Sequence, residues 1–302
     1  MTINTFKEMQ ALVEAGYATV KENSNLCTFK YHRSVQFNNF WDKIPGIKEC
    51  RGHTYDKETG EIVLAPPPKV FNYLENSHWK DYPDDKKVLM CKKYNGFMAA
   101  ATIYNNELIV GTTGTTTSDY AVLAKKMISE SPVAMSMIYE GYTTTFEIIH
   151  DSDPHIVNEG ANAVIPLVER SNWDGALYAL QAKDMHPPKV CTFGEAKEIA
   201  KTDRGEGFMV YDNAEYDNGT PVPSICKLKT PYYIQKKKLM RMSKSQVESM
   251  YSSGLKLNQI LENFDESFRE CIIGIVTLVD IQVWIEYTDQ QRRKVIESFV
   301  GV

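Results

Sequence analysis

The sequence predicts an α+β protein with a small, all-helical C-terminal part, and three observations carry that reading. Over roughly the first 230 residues, short β-rich runs are separated by tight-turn signals. Two helical patterns with recognisable starts interrupt those runs. Beyond Tyr233, apolar residues recur at helical spacing to the end of the chain. At 302 residues the chain is long enough for one large domain with its own core and a small appendage.

Taken in order, Val88-Leu89-Met90-Cys91 reads as a buried strand that delivers Lys93 at its end. Phe97–Tyr104 and Glu107–Thr112 flank Asn105-Asn106, the residue type that a tight hairpin favours. Ser118 is placed to cap an apolar-periodic helix that runs to Ser129. Thr143–Ile149 alternates like a half-buried strand, and Ala163–Glu169 and Ala176–Gln181 flank an Asp174-Gly175 turn. Phe193–Lys201 reads as a second helix, and Gly207–Asp212 and Ser224–Lys229 as further strands. A basic stretch follows, with Lys236–Lys238, Arg241 and Lys244, and then Gln246–Val302 reads as three or four helices. The expected boundary lies near residues 236–244, dividing the chain into 1–238 and 239–302.

Composition narrows the function classes. The 43% hydrophobic and 24% charged content is that of an ordinary globular protein. A net charge of −5 argues against a protein that coats nucleic acid nonspecifically, but partners respond to local patches rather than totals. The six cysteines are scattered singly without a CxxC pair, which points to reduced, mostly buried thiols in a cytosolic setting. Met1–Gln10 shows neither the basic nor the apolar region of a signal peptide. Asn218-Gly219-Thr220 is therefore expected to be a turn rather than a glycosylation site, and Ile272–Ile285, with Asp280 inside it, is too short to span a membrane.

Five charged elements carry the chemistry. Lys93 lies in Lys93-Tyr94-Asn95-Gly96, where a lysine nucleophile would need its pKa brought down from about 10.4 by nearby cations and burial. Gly96 would let the backbone turn without a side chain blocking a pocket. Glu147 on its strand could accept a ribose hydroxyl or hold a metal-bound water, and otherwise is an outward-facing acid. Glu206, beside Gly207 at a strand start, suits hydrated magnesium, and otherwise is a loop acid. Lys227 and Lys229 project from one face of a strand, where like charges cost stability unless an anion lies against them. Arg51-Gly52 and Lys69 stand upstream. Two other signals are set aside. Gly111-Thr112-Thr113-Gly114-Thr115 lacks the GK[ST] ending of a P-loop. His150-Asp151-Ser152-Asp153-Pro154-His155 contains proline and no helical ligand spacing, so an ordinary polar loop is expected.

At these residues the chain resembles the covalent nucleotidyltransferases, and within them the RNA ligase 1 family of bacteriophage-type single-strand RNA ligases. Lys93-Tyr94-Asn95-Gly96 resembles motif I, Phe146-Glu147 motif III with Ile156-Val157 downstream, Glu206-Gly207-Phe208-Met209-Val210 motif IV, and Lys227-Leu228-Lys229-Thr230 motif V. Arg51-Gly52-His53-Thr54-Tyr55 and Pro68-Lys69-Val70-Phe71-Asn72 resemble two upstream signatures that separate this family from DNA ligases and capping enzymes. The likeness covers about residues 45–235. Cys50 stands where the family has alanine, and Thr112-Thr113-Gly114-Thr115 stands where it often has a lysine-bearing element.

The resemblance implies an adenylyltransferase domain of mostly antiparallel sheets flanked by helices, with the nucleotide between them. It implies an ATP-dependent ligase joining RNA 5′-phosphate and 3′-hydroxyl ends through lysyl-AMP and RNA-adenylate. Lys93, Glu147, Glu206, Lys227 and Lys229 would be catalytic. ATP would be held by Arg51, Lys69, Cys91, Lys92, Asn95, Gly96, Glu147, Lys227, Lys229 and Tyr233, and Mg2+ or Mn2+ by Glu147 and Glu206. A phage or phage-derived source, a cytoplasmic monomer without membrane contact, and a phosphate-backbone role for Lys236–Lys244 are further expectations. The alternatives are a DNA-joining or mRNA-capping nucleotidyltransferase, and a catalytically silent nucleic-acid-binding relative.

Overall fold

The computed structural model describes residues 3–75, 77–153, 155–180, 188–212 and 224–300. The expected turn at Asn218-Gly219-Thr220 and the last residue of the expected strand Ala176–Gln181 lie outside the described residues. The architecture is α+β, with three mainly antiparallel sheets, flanking helices and a helical C-terminal part.

A four-stranded sheet is built in chain order from Ala18–Asn23, Leu26–Tyr31, Arg51–Asp56 and Ile62–Leu64. The second sheet runs Leu177–Ala179, Ala163–Ser171, Tyr142–Ile149, Phe97–Tyr104, Glu107–Gly111, all antiparallel. Asn105 and Asn106 both take positive φ, at 50° and 62°, as the expected hairpin between its last two strands requires. The third sheet runs Lys189–Thr192, Lys87–Lys93, Gly207–Tyr211, Ile225–Lys229, with Phe71–Asn72 added in parallel at the edge.

Leu89 and Tyr211 of the third sheet meet Val168, Leu177 and Ala179 of the second in one apolar cluster, so the two sheets pack face to face. Helix Asp119–Ser129 starts where Ser118 accepts from the Ala121 N–H, and it buries Ala121, Ala124 and Ile128 at helical spacing. Phe193–Thr202 starts with a Thr192/Glu195 capping box and buries Phe193, Ala196 and Ala200 against the third sheet.

The tail departs from expectation in number. After Pro231–Met240, five helices follow among the described residues: Lys244–Met250, Leu255–Leu261, Glu266–Leu278, Ile281–Glu286 and Asp289–Val300. The apolar run Ile272–Ile285 hides one break, because Val279 is extended and Asp280 caps a new helix through the Gln282 N–H. Helix Pro231–Met240 runs across the 238/239 position, and its Tyr233, Leu239 and Met240 share the tail's core with Ile272 and Trp284. No helix among the described residues is long and apolar enough to cross a membrane.

Candidate active site

Register brings the charged residues together. Gly207 pairs with Lys93 on one side and with Lys229 on the other, and Met209 pairs with Lys227. The strand that begins after Glu206 therefore lies between both lysine-bearing strands, and its acid reaches both: Lys93 Nζ is 3.0 Å and Lys229 Nζ 3.2 Å from Glu206 Oε1. Gly207 takes φ +136°, and a Cβ there would lie 2.0 Å from the Leu228 carbonyl oxygen, so only glycine fits.

The second sheet supplies Glu147. Gly96 passes so close to it that an added Cβ would sit 2.2 Å from the Ile148 carbonyl oxygen. That approach lets the Gly96 N–H donate to Glu147 Oε1 at 2.9 Å. Asn95 ties the elements together. Its Nδ2 donates to Glu206 Oε2 at 2.9 Å, its Oδ1 accepts from the N–H groups of Ile156 and Val157 at 2.8 and 2.9 Å, and its own N–H donates to Glu159 Oε1 at 2.9 Å.

Two cavities meet at Lys93. One, about 90 Å³, lies between the sheets and is lined by Arg51, Val70, Leu167, Met209 and Lys227, with Thr145 and Glu147. The Thr145 hydroxyl there is buried without a hydrogen-bond partner among the described residues. The other is an open cleft of about 520 Å³, lined by Thr112, Thr113, Tyr120, His155, Glu206 and Arg241 among others. Lys93 and Met98 line both, and Met98 Sδ is 2.9 Å from Arg51 Nη1.

The electrostatics overturn one expectation. Burial lowers the Lys93 pKa, but the charges of Glu147 and Glu206 outweigh it, and the result is raised. The cation that is depressed is Lys227, pushed well below its ordinary value by burial, then by Arg51, Lys93, Lys69 and Lys229. The reason is placement: Glu206 touches Lys93, whereas the described residues show no ion pair of Lys227. Burial raises Glu147 in spite of Lys93 beside it. For Glu206, burial acts upward, but Lys93 and Lys229 hold it below the usual carboxylate range.

The remaining expected residues divide. Lys69 Nζ lies 4.7 Å from the Phe71 ring centre and 5.5 Å from that of Trp41. Tyr233 carries Lys229 Nζ 4.6 Å above its ring and lines the larger cleft. Strand alternation sends Lys92 to the opposite face from Lys93, where it pairs with Glu159 at 2.8 Å. Cys91 packs in the apolar cluster between the sheets, and burial pushes its thiol up to about 12. Neither Cys91 nor Lys92 lines either cavity. Lys236, expected to reach a phosphate backbone, is buried and paired with Glu297 at 2.7 Å.

Sequence reasoning missed Glu159, Met98, Thr145 and the cleft residue Tyr120, whereas Arg241, expected within the basic stretch, lines the cleft. Glu159 sits in a polar stretch where only the folded contacts single it out; the unpaired Thr145 hydroxyl has no signal in an alternating strand. His155 Nδ1 lies 3.2 Å from Asp153 Oδ2 and His150 Nδ1 lies 2.8 Å from the Ser152 hydroxyl, ordinary polar contacts within one loop.

No family model matches the chain. A curated protein of Thermovibrio ammonificans named "Putative RNA ligase" is 21% identical over 232 residues, which cover 72% of this chain. The match spans 59% of that relative's length. Two solved structures, forms 1 and 2 of an archaeal ATP-dependent RNA ligase, superpose with TM-scores of 0.53 at 13% identity. They cover 92% and 90% of this chain, and the chain covers 77% and 76% of theirs. The fold of this chain is the mixed α+β fold of those ligase structures.

Proposed function

We propose that the chain is an ATP-dependent RNA ligase that carries AMP on Lys93. The observation behind this reading is the position of Lys93: it forms the wall between a partly apolar, cation-lined cavity and an open polar cleft, with Glu147 and Glu206 charges on it.

The cavity between the sheets would take the nucleoside, with the unpaired Thr145 hydroxyl as a hydrogen-bonding group for it. At about 90 Å³ it is below the roughly 300 Å³ of ordinary ligand pockets, so binding must widen it. Parting Arg51 from Met98 would do so and free a guanidinium for phosphate. Lys227 and Lys229 would face the α-phosphate, and Arg51 and Lys69 the outgoing phosphates.

In the first step, neutral Lys93 attacks the α-phosphorus: an N–P bond forms and the P–O bond to pyrophosphate breaks. Lys93 must first lose its proton, and Glu206 Oε1 at 3.0 Å is the acceptor the geometry offers. Glu147 and Glu206 are the carboxylates that would hold magnesium, directly or through water, and the ion would supply charge neutralisation at the phosphates. AMP then passes to an RNA 5′-phosphate, and a 3′-hydroxyl expels it as the strands join. Because Lys93 is held protonated, lysyl-AMP formation should rise about tenfold per pH unit below its pKa.

The experiment is a sealing assay with ATP, comparing 5′-phosphorylated RNA and DNA strands and replacing ATP by GTP. RNA joining with ATP supports the reading. Labelling of the protein by GTP alone would make it a capping-type enzyme, and joining of DNA alone would make it a DNA ligase.

A further inference from the structure

One side of helix Pro231–Met240 repeats a pattern at the edge of the larger cleft, whose wall includes Tyr233 and Arg241. Tyr233, Lys237 and Arg241, the last just past the helix end, are four residues apart and so stack along one side. Lys229 reaches over the Tyr233 ring at 4.6 Å and Lys237 over the same ring at 5.9 Å, which makes a column of cations around one aromatic. Arg241 ends the column as part of the cleft wall, which also includes Thr112, Thr113 and Ser118.

These cations are poorly neutralised. Lys237 makes no ion pair among the described residues, and Arg241 approaches Asp289 only to 3.7 Å with its side chain 51% exposed. Burial, then repulsion from Lys229 and Arg241, lowers the Lys237 pKa. The other lysines of the same run are turned elsewhere: Lys236 is paired with Glu297, and Lys238 lies 5.1 Å from the Phe264 ring centre. Like charges held on one face cost stability unless an anion joins them. In the proposed reaction, ATP's phosphates are met by Arg51 and Lys227, which line the other cavity, and by Lys69. Arg241 in the cleft wall and Lys237 one turn before it are left for the second substrate, which is also anionic, and the Thr112, Thr113 and Ser118 hydroxyls of the same cleft suit a sugar-phosphate chain.

Resting on the ligase reading above, we propose that Lys237 and Arg241 bind the 5′-terminal phosphate of the RNA strand that receives AMP. There, a non-bridging oxygen of that phosphate attacks the phosphorus of lysyl-AMP. A P–O bond forms, the P–N bond breaks, and the Lys93 amine leaves with the electron pair and takes a proton from water. Lys237 and Arg241 act as binding residues that select a phosphorylated end.

The test uses the full chain and two readouts. The first is fluorescence anisotropy with a short oligoribonucleotide carrying either a 5′-phosphate or a 5′-hydroxyl. The wild type should prefer the phosphorylated end, and Lys237→Ala with Arg241→Ala should lose that preference, about tenfold or more. The salt dependence of log affinity should flatten by about 0.7 per lost contact. Arg241→Lys should keep most of the preference, and Lys238→Ala should change nothing. The second readout is lysyl-AMP formation from ATP without RNA, which the double variant should retain while its transfer of AMP to 5′-phosphorylated RNA falls. Unchanged end preference in the double variant overturns the inference. So does an equal loss of lysyl-AMP formation in a variant with the wild-type melting temperature, since the cations would then serve ATP. If the wild type forms no lysyl-AMP, the ligase reading falls, and the anisotropy still decides whether these two residues recognise a phosphate end.

Discussion

Two clusters of charge include residues of the Arg51–Asp56 strand, one buried and one half-buried, and they are built in opposite ways. In the first, Arg170 is fully buried and every direction of its guanidinium is answered. Nη1 and Nη2 donate to the two Glu49 oxygens at 2.7 and 3.0 Å, Nη1 also to the Pro66 carbonyl at 3.0 Å, and Nε to that of Gly175 at 3.2 Å. His53 joins it through Nε2, 3.0 Å from Glu49, while its buried Nδ1 has no partner among the described residues. In the second, Arg51, Lys69, Lys93, Lys227 and Lys229 outnumber the acids near them, Glu75, Glu147 and Glu206. Glu206 is shared between two lysines, and Lys227 is left to the repulsion of its neighbours. A network paired at all but the His53 Nδ1 atom fixes the strand that carries Arg51 against the second sheet. An incomplete one costs stability and is what an incoming polyphosphate would complete.

The comparison breaks most visibly by removing one partner from each cluster. Arg170→Met strands the Glu49 carboxylate in the interior and should cost about 3–5 kcal/mol, read as a lower urea midpoint. Any loss of activity should then follow the unfolded fraction. Glu206→Gln leaves Lys93 and Lys229 without their shared acid and should lower the urea midpoint too, but lysyl-AMP formation by the folded variant should fall by about 10²–10³-fold. Lysyl-AMP formation that fell only with the unfolded fraction would make Glu206 a structural residue and erase the distinction.

Acid separates the clusters next. Burial, against the pull of Glu49, holds the His53 pKa below its ordinary value, so the unfolded chain takes up the proton first. Stability from this group is present above about pH 6.5 and is lost as pH falls towards the folded value, at up to about 1.4 kcal/mol per pH unit. His53→Gln should flatten that part of the pH–stability curve, and an unchanged slope would remove His53 from the account. The smallest effect concerns Lys227. Its folded pKa is depressed, so its charge opposes folding at neutral pH, and Lys227→Met should gain about 1 kcal/mol while ending adenylation. A destabilised Lys227→Met would mean that the lysine is satisfied in a way its surroundings do not show.

The same contrast explains what was legible in the chain. Local chemistry was: Asn105-Asn106 announces its hairpin, Ser118 and Thr192 announce their helices, and the order of charged motifs names Lys93, Glu206, Lys227 and Lys229. The pairing that puts Gly207 between Lys93 and Lys229 is non-local, and no residue pattern encodes which strands adjoin. For that reason the sign of the Lys93 shift was misread: the cations were visible in the sequence, but their distances relative to Glu206 were not. Lys236 was misread as a surface cation because its partner, Glu297, lies on the last helix. In the tail, Asp280 is one polar residue in an apolar run, yet it ends one helix and starts another.

The central claim is that Lys93 becomes covalently adenylated, and intact mass tests it most directly. The purified chain and its Lys93→Ala variant would each be weighed before and after incubation with ATP and magnesium. A gain of one AMP in the wild type, mapped to the peptide bearing Lys93 and absent from the variant, is the result expected. No gain in a wild type that still binds ATP, or an equal gain in the variant, would contradict the account.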